Sequence, residues 1–132
     1  MAQKITKGAK ELVAEANARI TTIPLDEALA LVDSDDHVLI DLRESGELRR
    51  MGKIPGAVAC PRGMLEFRID SDDPEQKAVF NQDKTYVFYC ATAKRSALAA
   101  RTAQEMGLDP VAHIEGGFGA WVKAGGPVEQ LS

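Results

Sequence analysis

The sequence predicts an α/β fold built on a parallel sheet. Three observations predict it. Short apolar runs rich in branched and aromatic residues, HVLID (37–41), TYVFYC (85–90) and VAHI (111–114), alternate with helical patterns. These runs are apolar throughout, as in strands buried on both faces. Turn clusters such as DSDD (33–36) and the Gly116–Gly117 pair mark the boundaries between runs and helices. In sheets of this kind a ligand sits beyond the carboxyl ends of the strands, and Cys90 stands at that end of the strongest run.

In chain order, Ala9, Leu12, Val13, Ala16 and Ile20 recur at helical spacing, so residues 7–20 read as a helix. Pro24 opens a second short helix, LDEALALV, that stops at DSDD. HVLID is a buried strand. ESGELRRM is a short helix, and IPGAVACP is a tight turn into another strand. Residues 61–85 are the least regular part, with GMLEFRI as a helical turn and DSDDPEQ as an exposed loop. TYVFYC is the clearest strand and SALAARTAQEMG (96–107) the clearest helix, with Gly107 as its stop. FGAWVKAGG is a last short helix. The organisation expected is an N-terminal helical extension over residues 1–22 and one domain over 23–132.

Composition bounds the function. A chain of 132 residues fits one domain, and that length buries roughly two-thirds of its unfolded surface without staples. Hydrophobic residues make up 45% and charged residues 27%, the balance of a soluble globular protein. A net charge of −4 argues against nucleic acid or an anionic membrane as partner. Arg43, Arg49, Arg50 and Lys53 form a local basic group that reads as a solvated helix face. Two cysteines are too few for a secreted disulfide scaffold. The N-terminal residues have no signal-peptide pattern, and no stretch reaches the length of a membrane span. A reducing compartment, most simply the cytoplasm, is expected.

The stretch CATAKRS (90–96) carries the chemistry. A helix that starts near Arg95 or Ser96 leaves its first N–H groups unpaired and puts positive partial charge there. A curled loop before it aims further N–H groups inward as an anion nest. A cysteine at the mouth of that nest has its thiolate favoured. On the loop alone an ordinary buried thiol is an equally good reading, because free cysteine often just fills space.

Three stretches, taken together and in order, carry a resemblance. LIDLRESGELRRMGKIPGA is a strand ending in Asp-x-Arg, followed by a Gly-x-Ile-Pro-Gly-Ala turn. YCATAKRSALAA is a cysteine loop and its helix. HIEGGFGAWVKAGGPVE is Gly-Gly-x-x-x-Trp followed by Gly-x-Pro. The chain resembles the single-domain rhodaneses, the thiosulfate-type sulfurtransferase family, over about residues 38–129. The resemblance implies a rhodanese-like fold with five parallel strands and helices on both faces. It implies a two-step reaction in which Cys90 takes sulfur from a donor such as thiosulfate, holds it as a persulfide, and yields it to cyanide or a thiol. The donor is a small molecule, and a protein can be the sulfur acceptor. The loop residues Ala91, Thr92, Ala93, Lys94, Arg95 and Ser96 would then line the substrate site. Amides of residues 91–95 would hold the persulfide, Arg95 and Lys94 the anionic donor, and the hydroxyls of Thr92 and Ser96 could donate. No cofactor and no metal are implied. Phosphatases related to this fold use five residues between cysteine and arginine. Cys90 to Arg95 leaves four, and position 96 is serine, which favours sulfur over phosphate or arsenate. A fold that only binds or regulates, without turnover, is the remaining alternative.

The chain departs from the family pattern at two positions. Lys53 replaces a common histidine, and Ala93 replaces a common glycine in mid-loop. If the loop needs a left-handed backbone there, alanine costs roughly 1–2 kcal/mol. Outside the loop, Cys60 reads as core or, alternatively, as a resolving thiol. His113 reads as a satisfied structural histidine. Cys60, Cys90, His37 and His113 lack zinc-ligand spacing. Asp41 and Arg43 read as scaffold, with Asp41 capping a turn and Arg43 paired to Glu44 or Glu47. Trp121, at helical spacing from Phe118, reads as core.

Overall fold

The computed structural model of the chain describes residues 2–74 and 77–131. Five strands are all paired in parallel: β1 (Thr21–Ile23), β2 (His37–Asp41), β3 (Val58–Ala59), β4 (Thr85–Tyr89) and β5 (Val111–Ile114). Their spatial order is β1-β5-β4-β2-β3. β4 lies at the centre because its five residues, TYVFY, are apolar on both sides of the pleat. Tyr86 and Phe88 alternate onto one face with Val38 and Ile40 of β2. Val87 and Tyr89 go to the other face with Leu39 and Ile114.

Helices cover both faces. On the first face lie α5 (Lys94–Glu105), which buries Ala99, Ala100 and Ala103, and α4 (Leu65–Ile69), which buries Leu65. α1 (Ala9–Asn17) packs on α5 and buries Ala16. The second face takes Ala28 of α2 (Leu25–Ala28) and Phe118 and Trp121 of α6 (Gly117–Lys123). α3 (Ser45–Met51) comes after β2.

The expected elements differ from these in instructive ways. The first helix is shorter than 7–20, running from residue 9 to 17. Thr21–Ile23 then forms an edge strand beside β5 that residue type did not announce. The expected boundary between residues 22 and 23 falls inside that strand. LDEALALV is one α-helical turn that tightens into a 3-10 helix at Leu29–Asp33. α5 starts two residues before Ser96, and Gly107 at φ 101° lies just past its end as expected. GMLEFRI splits into a 3-10 turn and α4. In DSDDPEQ, residues 70–72 and Pro74 are exposed, and Glu75 and Gln76 lie outside the described residues. No described helix is long and apolar enough to cross a membrane.

Candidate active site

β4 delivers Cys90 to the carboxyl edge of the sheet, between the ends of β2 and β5. The chain then turns within three residues into α5. That reversal needs a left-handed residue, and Ala93 supplies it at φ 70°, ψ 7°. It is the one non-glycine among the described residues with positive φ. The strain expected of a loop without its glycine is therefore present, at roughly 1–2 kcal/mol.

The turn points the α5 N-terminus at the sulfur. The Ser96 amide donates to Cys90 Sγ at 3.3 Å. This amide lies one position beyond those of residues 91–95, expected to hold the persulfide, and belongs to the first turn of the helix. The helix dipole adds positive potential at the same end.

The back of the loop rests on α6. The Phe118 amide donates to the Cys90 carbonyl at 2.8 Å, and the Gly119 amide to the Ala91 carbonyl at 3.0 Å. Such close approach requires glycine at 117. Its φ is +68°, and a Cβ there would sit 2.6 Å from the Cys90 carbonyl oxygen and 2.8 Å from that of Ala91. The Gly-Gly pair of the C-terminal stretch thus seats the cysteine loop, a role that sequence reading had not assigned. The signal available was the pair itself, immediately after a strand.

Arg95 is engaged. Its Nη1 and Nη2 donate to both carboxylate oxygens of Glu47 at 3.2 and 3.1 Å. Burial pushes the Glu47 carboxyl up, but the Arg95 fork, the Glu44 amide and Arg43 outweigh it and hold the carboxyl below its usual value. Arg95 is correspondingly raised, first by the Glu47 hydrogen bond and also by the Cys90 sulfur. Glu47 was not among the residues expected here, and 48 positions separate it from Arg95. Thr92 and Lys94 are exposed on the rim.

Two further placements correct the sequence reading. Arg43 is not on a solvated face and does not pair with Glu44 or Glu47. It is 2% exposed and forks onto Asp41, with Nη2 to Oδ2 at 2.8 Å and Nε to Oδ1 at 3.1 Å. It also donates to the Gly52 carbonyl at 2.7 Å and lies 4.0 Å over the Phe118 ring. Asp41 accepts the Arg43 amide, closing the expected turn. Breaking a buried pair of this kind costs roughly 3–5 kcal/mol. The Ser96 hydroxyl, expected near substrate, is fully buried and faces His113 Nδ1 at 2.8 Å. His113 is hydrogen-bonded at both ring nitrogens, as a structural histidine should be. Burial lowers its pKa to about 4, so the ring is neutral at pH 7.

Beside the loop opens a groove of about 420 Å³ walled by Ala91, Thr92, Phe118, Val122, Met51 and the charged groups of Arg43, Glu47 and Arg50. Met51 and Val122 are exposed there. Cys60 and Cys90 are both free thiols. No three metal-ligating side chains gather among the described residues.

This geometry has relatives. The model of the rhodanese-like domain matches residues 24–124. The putative sulfurtransferase YtwF of Bacillus subtilis is 35% identical over 103 residues, covering 77% of this chain and 87% of that protein. A sulfurtransferase of Allochromatium vinosum is 31% identical over 98 residues, covering 74% and 83%. The chain spans 64% of a mouse thiosulfate sulfurtransferase/rhodanese-like domain-containing protein 3, at 32% identity over 101 residues and 73% of this chain. Among solved structures, a protein of unknown function from Rhodopseudomonas palustris, described as a possible tyrosine phosphatase, is 56% identical with a TM-score of 0.95. The match covers 98% of this chain and 99% of that one. The domain match takes in the Asp41–Arg43 turn, the Cys90 loop and the glycines behind it, and its sulfurtransferase relatives share most of their length with it: the chain belongs to the rhodanese-like domain family.

Proposed function

We propose that the protein is a sulfurtransferase that carries a sulfane sulfur on Cys90. The observation that supports this most is the Ser96 amide directed at Cys90 Sγ from the first turn of α5. In the first step the Cys90 thiolate attacks the outer sulfur of a donor such as thiosulfate. A Cys90 S–S bond forms, the donor S–S bond breaks, and sulfite leaves with the electron pair. In the second step cyanide or a thiolate attacks the outer persulfide sulfur and releases the Cys90 thiolate. The cycle is a covalent ping-pong reaction that needs no redox partner. The amide and the helix end stabilise the persulfide anion, residues 91–95 line the site, and Ser96 contributes its backbone amide. Lys94, exposed and without an ion pair among the described residues, meets the donor anion, while Arg95 holds Glu47. Free thiols at both cysteines suit a reducing compartment such as the cytoplasm. Residues 23–132 form the transferase domain, and α1 is an extension on it.

The phosphatase description of the Rhodopseudomonas structure favours a second reading. Against it stand the four-residue spacing and the Arg95 fork, whose donors face Glu47 rather than an incoming phosphate. Intact mass under non-reducing conditions tests the proposal, with wild type and Cys90→Ser exposed to thiosulfate. The wild type should gain one sulfur and return it to cyanide as thiocyanate, and the variant should do neither. A folded wild type that takes no sulfur from thiosulfate, mercaptopyruvate or polysulfide, or that hydrolyses a phosphate ester, sinks the reading.

A further inference from the structure

α1 precedes the residues that match the family model, yet its last residue reaches the active loop through one ring. Asn17 Oδ1 lies 3.0 Å from His113 Nε2, Thr22 Oγ1 lies 3.1 Å from the same nitrogen, and Ser96 Oγ lies 2.8 Å from Nδ1. The next contact inward is the Ser96 amide on Cys90 Sγ at 3.3 Å. The chemistry of these groups is unequal. The hydroxyls of Ser96 and Thr22 can each donate or accept, so they accommodate either neutral tautomer of the ring. An amide oxygen only accepts. Asn17 therefore requires the proton on Nε2, leaves Nδ1 bare, and makes the Ser96 hydroxyl the donor to it. Ser96 has no exposed surface and His113 is 2% exposed, so the inner bond between them has no water to replace it, while Asn17 and Thr22 meet the ring from exposed positions.

We propose that Asn17 is a positioning residue for Cys90. It fixes the tautomer of His113, which holds the Ser96 side chain and with it the amide that faces the sulfur. The N-terminal extension is then part of the site rather than a decoration on it. This rests on the reading of Cys90 as the sulfur carrier, but its test also reads Cys90 directly.

The experiment compares wild type with Asn17→Leu, which keeps the size of the side chain and loses the acceptor, and Asn17→Asp, which keeps an acceptor oxygen. Three signals are tracked: the imidazole ¹⁵N shifts of His113, the rate of Cys90 alkylation by iodoacetamide, and sulfur uptake from thiosulfate. In wild type the Nε2 tautomer should dominate. In Asn17→Leu the proton should distribute over both nitrogens, and Cys90 should alkylate and load about five-fold more slowly. Asn17→Asp should stay close to wild type at pH 7. In a Ser96→Ala background Asn17→Leu should add nothing, because both act along one line. Unchanged ring shifts or unchanged Cys90 rates in Asn17→Leu overturn the proposal, as does an Asp variant as slow as the Leu variant or additivity with Ser96→Ala. A wild type that alkylates at Cys90 but takes up no sulfur would instead refute the transferase reading, and the first two signals would still decide the role of Asn17.

Discussion

Cys60 and Cys90 each stand one residue past the end of a parallel strand, β3 and β4, and both side chains enter the same apolar cluster. The segments that succeed them differ. After Cys60 comes Pro61, which has no N–H to offer, then a three-residue 3-10 turn and the five-residue α4. After Cys90 come a three-residue reversal and the twelve-residue α5, whose Ser96 amide meets the sulfur. Burial pushes the Cys60 thiol up, with Arg68 and Arg62 only partly opposing it. The edge of the sheet offers both positions. Among the described residues, only the segment after Cys90 directs an amide at the sulfur, which is what the proposed nucleophile requires.

The largest effect should separate the two thiols. Cys90→Ser should abolish thiocyanate formation from thiosulfate and cyanide, by at least about 10³-fold, whereas Cys60→Ser should stay within about two-fold in the same steady-state assay. Equal losses would erase the contrast. Next come the glycines that flank the two sites. Gly117→Ala drives a Cβ into the Cys90 and Ala91 carbonyls in a left-handed backbone, and urea unfolding should show a loss of about 3 kcal/mol. Gly63→Ala, just after Cys60, meets open space and should change stability by no more than about 0.5 kcal/mol.

The third effect concerns pH. His113, behind the Cys90 loop, has its pKa lowered to about 4 in the folded protein, against an ordinary value of about 6.5 when unfolded. Its contribution is therefore complete above about pH 6.5 and is lost as pH falls toward 4, because only the unfolded chain takes the proton in that window. Urea unfolding at pH 7 and pH 5 should show a drop of roughly 2 kcal/mol from this group. His113→Gln should remove that share of the pH dependence, and an unchanged slope would count against a neutral buried ring. The smallest effect is at Ala93. Ala93→Gly should relieve the left-handed backbone and stabilise the protein by about 1 kcal/mol, after allowing for the extra freedom of glycine in the unfolded chain. A destabilised Gly variant in thermal unfolding would mean that the loop is not strained there.

Much of this was legible in the sequence. β2, β4 and β5 announce themselves because strands buried on both faces are mostly apolar without alternation, and α5 because its alanines repeat at helical spacing. The strain at Ala93 could be foreseen from the loop, since a chain that reverses direction in three residues needs a left-handed member. β1 could not. Three edge residues, Thr21–Ile23, need little hydrophobicity of their own when β5 supplies the partner. Arg43 was misread because charge suggests exposure, and only the fold reveals Asp41 beneath it and Phe118 against it. The Arg95–Glu47 fork and the Asn17–His113 contact join residues 48 and 96 positions apart, so no local pattern contains them.

Trp121 is the single tryptophan of the chain, and no part of it reaches solvent. Its indole N–H donates to the Pro127 carbonyl at 2.8 Å. It sits on α6, the helix whose opening amides hold the carbonyls of Cys90 and Ala91. The molecule therefore carries an unlabelled optical probe one helical turn from its cysteine loop. Its fluorescence spectrum reads the seating of α6 directly, and a stopped-flow trace of that emission during sulfur loading would time any movement of the loop against the chemistry itself.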